Sequence, residues 1–197
     1  MPGDAVSTLL QLVSVFDELG LTYAVGGSLA SSMYGEPRAT HDVDLLIDLP
    51  LAQLPELLAR LTDEFYVSEE AARRAVDTGS SFNLVHLTSG HKIDLFVAGP
   101  SLLDVMQLET CRAGSLRDGA PSVRVTAPAV IILRKLAWFR SGGETSERQW
   151  RDVIGMLRVQ GPSLSLDDVR EVALGMGLTD LLDRAVTEAR RDLDETP

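Results

Sequence analysis

Apolar positions along the first part of the chain change period repeatedly. Leu9, Leu12, Val13, Phe16 and Leu19 fall at helical spacing, which predicts an amphipathic helix over 4–19 that ends at Gly20. Tyr23-Ala24-Val25 is a short strand leading into Gly26-Gly27. A short helix over 28–34 follows, with Ser28 as its N-cap and Gly35 and Pro37 as its stop. The pattern then predicts a strand over 42–49, a helix over 51–61 carrying Leu54, Leu57, Leu58 and Leu61 on one side, a small strand at 65–67 and a charged helix at 69–76. Phe82 to Leu87 and Lys92 to Ala98 read as a hairpin around Thr88-Ser89-Gly90-His91. Leu102 to Arg112 is predicted helical and 123–125 a strand. From Ala127 onward every segment has helical period: 128–140, 146–159, 166–175 and 178–193, broken by Gly142-Gly143 and Gly161-Pro162. The expectation is an α/β core over 1–126 followed by a helical region over 127–197.

Bulk properties narrow the class. Of 197 residues, 45% are hydrophobic and 24% charged, the balance of an ordinary folded protein. A formal net charge of −11 disfavours broad nucleic-acid binding. The charge is uneven, however. Arg134, Lys135, Arg140, Arg148, Arg151 and Arg158 outnumber the acidic residues among them, so this strip is either a receiver for phosphates or a solvated helix face. The single cysteine, Cys111, excludes an internal disulfide framework and reads as a small buried hydrophobe on a helix. No apolar run approaches the roughly 20 residues that span a bilayer. Asp4 with no basic stretch beside it does not read as a secretion signal, so no membrane association and a cytoplasmic location are expected.

Candidate chemistry gathers where a glycine turn meets acidic strands. Asp42 and Asp44 alternate with Val43 and so share one face of their strand. Two carboxylates this close repel unless a cation lies between them, and hard magnesium takes carboxylate oxygens readily. Solvated residues at a strand mouth are the plainer alternative. Asp94, set between Ile93 and Leu95-Phe96-Val97, is out of place in a buried strand. It either pairs with Lys92 two residues back or, if its strand lies beside the first, completes a three-carboxylate cluster of the kind that supports in-line phosphoryl transfer. Asp48 shares the Asp42 face but lies about 20 Å along the strand and reads as a surface residue. Gly26 and Gly27 let a phosphate approach the backbone, and the helix after them offers free N–H groups, with the Ser28 hydroxyl alongside. The absence of G-x-G-x-x-G argues against a dinucleotide-binding enzyme.

These residues resemble the DNA polymerase beta-type nucleotidyltransferase superfamily: Gly-Gly-Ser after a strand, thirteen residues, Asp42-Val43-Asp44, then Asp94 on a later strand. Val25-Gly26-Gly27-Ser28-Leu29-Ala30 with Tyr34-Gly35-Glu36-Pro37-Arg38-Ala39-Thr40-His41-Asp42-Val43-Asp44 resembles, more narrowly, the minimal bacterial members grouped with AbiEii/AbiGii-type toxins. The resemblance covers 20–98 and extends more loosely to Lys135 and to Arg148-Gln149-Trp150-Arg151-Asp152. It implies a small mixed β-sheet flanked by helices, followed by a helical C-terminal region. It also implies two Mg2+ ions, with Mn2+ as a substitute, on Asp42, Asp44 and Asp94, the last of these helping to deprotonate the attacking hydroxyl. Gly26, Gly27 and Ser28 would hold the triphosphate of an NTP such as ATP, and Arg38 or Lys135 would neutralise developing charge.

Each of these assignments has a bland counterpart. Arg38 reads equally as a loop cation, Lys135 as a helix-surface lysine and Asp152 as a salt-bridge residue. Trp138, Phe139 and Trp150 read as core rather than stacking platforms. His41 could touch a phosphate but is more simply a turn residue; His86 and His91 are offered as no ligand. The resulting expectation is transfer of an NMP from an NTP to a hydroxyl acceptor. That acceptor would be tRNA or protein, as for a toxin with a cognate antitoxin, or a small molecule. The alternative is a catalytically silent nucleotide-binding or protein-interaction module of the same fold.

Overall fold

A computed structural model describes residues 4–38 and 42–194. The chain divides into two compact units, one formed by 1–29 with 39–126 and the other by 30–38 with 127–197. Sequence patterning assigns 30–38 to the core, whereas these residues pack with the helical region instead.

The first unit is built on a seven-stranded sheet. Its strands are β1 (Thr22–Val25), β2 (Val43–Asp48), β3 (Phe65–Val67), β4 (Ser81–His86), β5 (Lys92–Val97), β6 (Arg112–Ser115) and β7 (Ser122–Val125), in the order β3-β4-β5-β2-β1-β7-β6. The sheet is mixed. β1 and β2 are antiparallel, β2 and β5 parallel, β4 and β5 antiparallel, and β1 runs parallel to β7. Helix α1 (Ala5–Glu18) begins at Asp4, whose carboxylate accepts from the Ser7 N–H at 2.7 Å. It buries Leu9, Leu12, Val13 and Phe16, and the Phe16 ring meets Tyr23 of β1 at 5.6 Å. Tyr23 and Val25 pair with Ile47 and Leu45, so this sheet face is a continuous apolar floor. Ala24, Leu46 and Asp44 lie on the other face.

Further helices close the unit. They are α3 (Leu54–Leu61), α4 (Glu69–Thr78) and α5 (Leu102–Glu109), while α2, which starts here at Gly27 and runs to Tyr34, begins in this unit and continues into the other. A 3₁₀ turn at Leu51–Gln53 leads into α3, which buries Leu54, Leu57 and Leu61. The predicted helix over 102–112 is shorter than expected. α5 stops at Glu109, Cys111 lies outside it with its thiol donating to the Leu108 carbonyl at 3.3 Å, and Arg112–Ser115 becomes edge strand β6. Cys111 is therefore neither helical nor fully buried. Ser28 is the second residue of α2 rather than its cap.

The second unit, from Ala30 of α2 onward, contains α6 (Pro128–Ser141), α7 (Glu147–Gln160), α8 (Leu166–Gly175) and α9 (Thr179–Asp194). α6 packs on α7, and α7 on α9. Ser146 and Ser165 cap α7 and α8 by accepting from the backbone N–H three residues on. No helix among the described residues is long and apolar enough to cross a membrane.

Candidate active site

Strand register assembles the acidic face. Asp44 of β2 stands directly opposite Asp94 of the parallel strand β5, and Asp94 opposite Asn83 of antiparallel β4. Val43 and Ile93, one residue earlier on these two strands, are buried on the opposite face. Asp42 lies one residue before β2 and is exposed. Sequence reasoning missed Asn83; its signal is only a polar position in an alternating strand.

The glycine turn abuts the same carboxylates. The Gly26 N–H donates to the Asp44 carbonyl at 2.8 Å, which ties the end of β1 to the start of β2. Gly27 has φ of +57°, and a Cβ placed there would lie 1.8 Å from Asp44 Oδ2. Both facts demand glycine: the backbone is in the left-handed region, and the Asp44 carboxylate fills the space of a side chain. Behind the turn, a Cβ on Gly26 would come within 3.0 Å of the buried Gln107 amide of α5.

Lys92 brings a cation to this face. Its Nζ donates to Asp94 Oδ1 at 2.9 Å and Oδ2 at 3.2 Å. The hydrogen bond to Asp94 raises the ammonium above its ordinary range. Burial works against the rise, and the charges of Asp94, Asp42 and Asp44 add to it. The Lys92–Asp94 pairing weighed in the sequence is thus present, and all three carboxylates act on one ammonium. Asp48, at the far end of β2 opposite Thr22, is exposed, as expected.

The donor set suits magnesium. No group of three His, Cys, Asp or Glu side chains among the described residues is gathered closely enough to cage a metal. Magnesium does not require such a cage: it usually binds one or two carboxylates, keeps several waters and takes further oxygens from substrate phosphates. Asp44 and Asp94 in register, with the Asp44 carboxylate packed against the Gly27 backbone, match that demand.

The other expected phosphate ligands lie in the second unit and meet a different partner there. Arg38 donates to Asp152 in two bonds, Nε to Oδ1 at 2.8 Å and Nη2 to Oδ2 at 3.0 Å. Lys135 Nζ donates to Asp152 Oδ2 at 2.7 Å and to Gln149 Oε1 at 3.0 Å, and the Ser31 hydroxyl reaches Oδ2 at 3.4 Å. The Lys135 side chain is 2% exposed and that of Asp152 7%. A helix-surface lysine is therefore ruled out, while the salt-bridge reading of Asp152 holds. Burial opposes the charge on Asp152, but hydrogen bonds from Arg38 and Lys135, with their charges, hold its carboxyl below the ordinary range. The segment before Arg38 packs tightly on α7: a Cβ at Gly35 would lie 2.9 Å from the Met156 backbone nitrogen. Glu36 accepts from Arg158 at 2.7 Å. Sequence reasoning did not foresee this hub, although a signal was present. Ile131, Lys135 and Phe139 share a stripe of α6, and Asp152 and Met156 one of α7.

Much of the basic strip is already neutralised. Arg140 pairs with Asp180 at 2.7 Å and Glu144 at 3.0 Å, Arg151 with Glu147 at 3.3 Å, and Arg158 with Glu36. Phe139 is core, whereas Trp138 is 36% exposed. The Trp150 ring lies beneath the Arg184 guanidinium, 4.1 Å from its centroid. His86 and His91 share Ser89 as a hydrogen-bond partner through their Nδ1 atoms, and His86 Nε2 lies 3.6 Å from the Glu64 carboxylate. His41 lies outside the described residues.

Comparison with known proteins places the fold. No protein family's sequence profile matches the chain, and no curated protein matches it significantly. Solved structures do. The antibiotic-resistance factor ANT(2'')-Ia in solution aligns over 98% of this chain and 97% of its own, with a TM-score of 0.52 and 16% identity. A crystal structure of ANT(2'')-Ia in complex with adenylyl-2''-tobramycin aligns over 95% and 98%, at 0.53 and 15%. An antigenic nucleotidyltransferase-like protein from Paracoccidioides brasiliensis aligns over 92% and 91%, at 0.55 and 20%. This chain, with its mixed seven-stranded sheet and flanking and C-terminal helices, thus shares the nucleotidyltransferase fold of these structures.

Proposed function

We propose that this chain is a nucleotidyltransferase that moves an NMP from an NTP to a hydroxyl acceptor and releases pyrophosphate. The observation that carries the reading is the packing of the Asp44 carboxylate into the side-chain space of Gly27, with Asp94 in register beside it. A glycine turn, a helix start and two aligned carboxylates meet at one end of the sheet.

Each residue has a role in that reaction. Gly26, Gly27 and the first-turn N–H groups of α2 receive the triphosphate. Asp44 and Asp94 would hold magnesium, which when bound neutralises phosphate charge and acidifies the acceptor hydroxyl, and Asp42 adds negative charge beside them. Asp94 orients the acceptor oxygen and takes its proton. That oxygen forms a bond to the α-phosphorus, the bond from the α-phosphorus to the bridging oxygen breaks, and pyrophosphate leaves with the electron pair. Lys135 and Arg38 brace the helical unit through Asp152.

The acceptor is a small molecule on this reading. A net charge of −11 and a strip of largely paired cations both work against a polyanionic acceptor. The likeness to ANT(2'')-Ia supports a small hydroxylated compound. The test is transfer of label from each α-labelled NTP, with magnesium, to a panel of hydroxylated small molecules, with bulk tRNA and lysate protein alongside. Labelling of a small molecule that is lost in Asp44→Asn supports the reading. Labelling of tRNA or protein alone would move the acceptor to the toxin class, and absence of transfer to any acceptor would leave a silent binding module.

A further inference from the structure

Lys92 stands where a metal has to compete. β5 puts it on the Asp94 face, two residues before that carboxylate, and pairs its backbone with Val85 of β4. Its ammonium reaches both oxygens of Asp94, and the charges of Asp42 and Asp44 bear on it too. A divalent cation brought to Asp44 and Asp94 meets an ammonium of like charge that already neutralises part of the cluster. The lysine side chain is 47% exposed and ends a flexible four-carbon stem, so it is free to change partner.

A nucleoside triphosphate alters this balance. It carries several negative charges, supplies oxygens that complete a magnesium shell and offers the ammonium a new acceptor. We propose that Lys92 is a resident counter-cation of the site: it holds the Asp94 carboxylate when metal is absent, and moves to a phosphate oxygen when metal and triphosphate bind together. Metal loading is then coupled to nucleotide binding, and by linkage each raises the affinity of the other equally. The inference rests on the metal reading of Asp44 and Asp94 and adds to it a residue that the reading does not need.

The test measures Mn2+ binding by electron paramagnetic resonance, with and without a non-hydrolysable NTP analogue. Wild type is compared with Lys92→Met, which keeps the stem without the charge, and with Lys92→Arg, which keeps the charge. Circular dichroism confirms that each variant is folded. Without nucleotide, Lys92→Met is expected to bind Mn2+ about tenfold tighter than wild type, and Lys92→Arg close to wild type. The analogue should raise Mn2+ affinity more in wild type than in Lys92→Met. Equal or weaker Mn2+ binding by Lys92→Met, at a site still lost in Asp44→Asn, would overturn the role of Lys92 alone. Absence of Mn2+ binding in every variant, with the analogue present, would overturn the metal reading as well.

Discussion

Gly27 and Asp44 form one device, and neither can change alone. A side chain at 27 faces a strained backbone and the Asp44 carboxylate together. Gly27→Ala is expected to cost about 1–2 kcal/mol for its positive φ, with a further cost for moving Asp44. Gly79 is the natural control, because its φ is +61° but a Cβ there enters open space. Gly79→Ala should lose only the backbone part, measured by urea unfolding. NTP affinity measured with magnesium should fall by about tenfold or more in Gly27→Ala and stay unchanged in Gly79→Ala. The residues of this device were legible in the sequence as a Gly-Gly pair and an Asp-x-Asp. Their mutual packing was not, since a clash between positions seventeen apart exists only once β1 and β2 pair.

Helices α6 and α7 are joined by charge as well as by apolar packing. Asp152→Ala leaves Lys135 buried without its carboxylate, and a loss of about 3–5 kcal/mol in urea unfolding is expected. Replacing both partners by apolar residues, Lys135→Met with Asp152→Leu, should lose much less, because no buried charge is stranded. Arg38, 28% exposed, then turns to water. Periodicity revealed these helices to within a residue or two at most ends. Charge type hid their buried pair, since a lysine on a helix is ordinarily placed at the surface. β6 escaped for a different reason. Arg-Ala-Gly-Ser has no apolar alternation, and only pairing with β7 at the sheet edge makes it a strand.

For the whole chain, the −11 charge and the strand order set what the fold can bind and when it unfolds. Asp152 titrates below its ordinary 3.8 in the folded protein. Its contribution to stability is therefore fully present above the unfolded value and is lost as pH falls from there through the lower folded value. Acid unfolding followed by circular dichroism should show that loss in the wild type and not in Asp152→Asn, whose stability is lower throughout the neutral range. Sheet order was not legible from the sequence, yet it decides the site. Only the parallel neighbourhood of β2 and β5 brings Asp94 beside Asp44, fifty residues apart, and turns two separate acidic positions into a pair. The most direct measurement of that claim is calorimetric titration of an NTP into wild type and Asp44→Asn, with and without magnesium. The account predicts binding that requires magnesium and weakens about tenfold or more in Asp44→Asn. Binding indifferent both to magnesium and to Asp44 would contradict it.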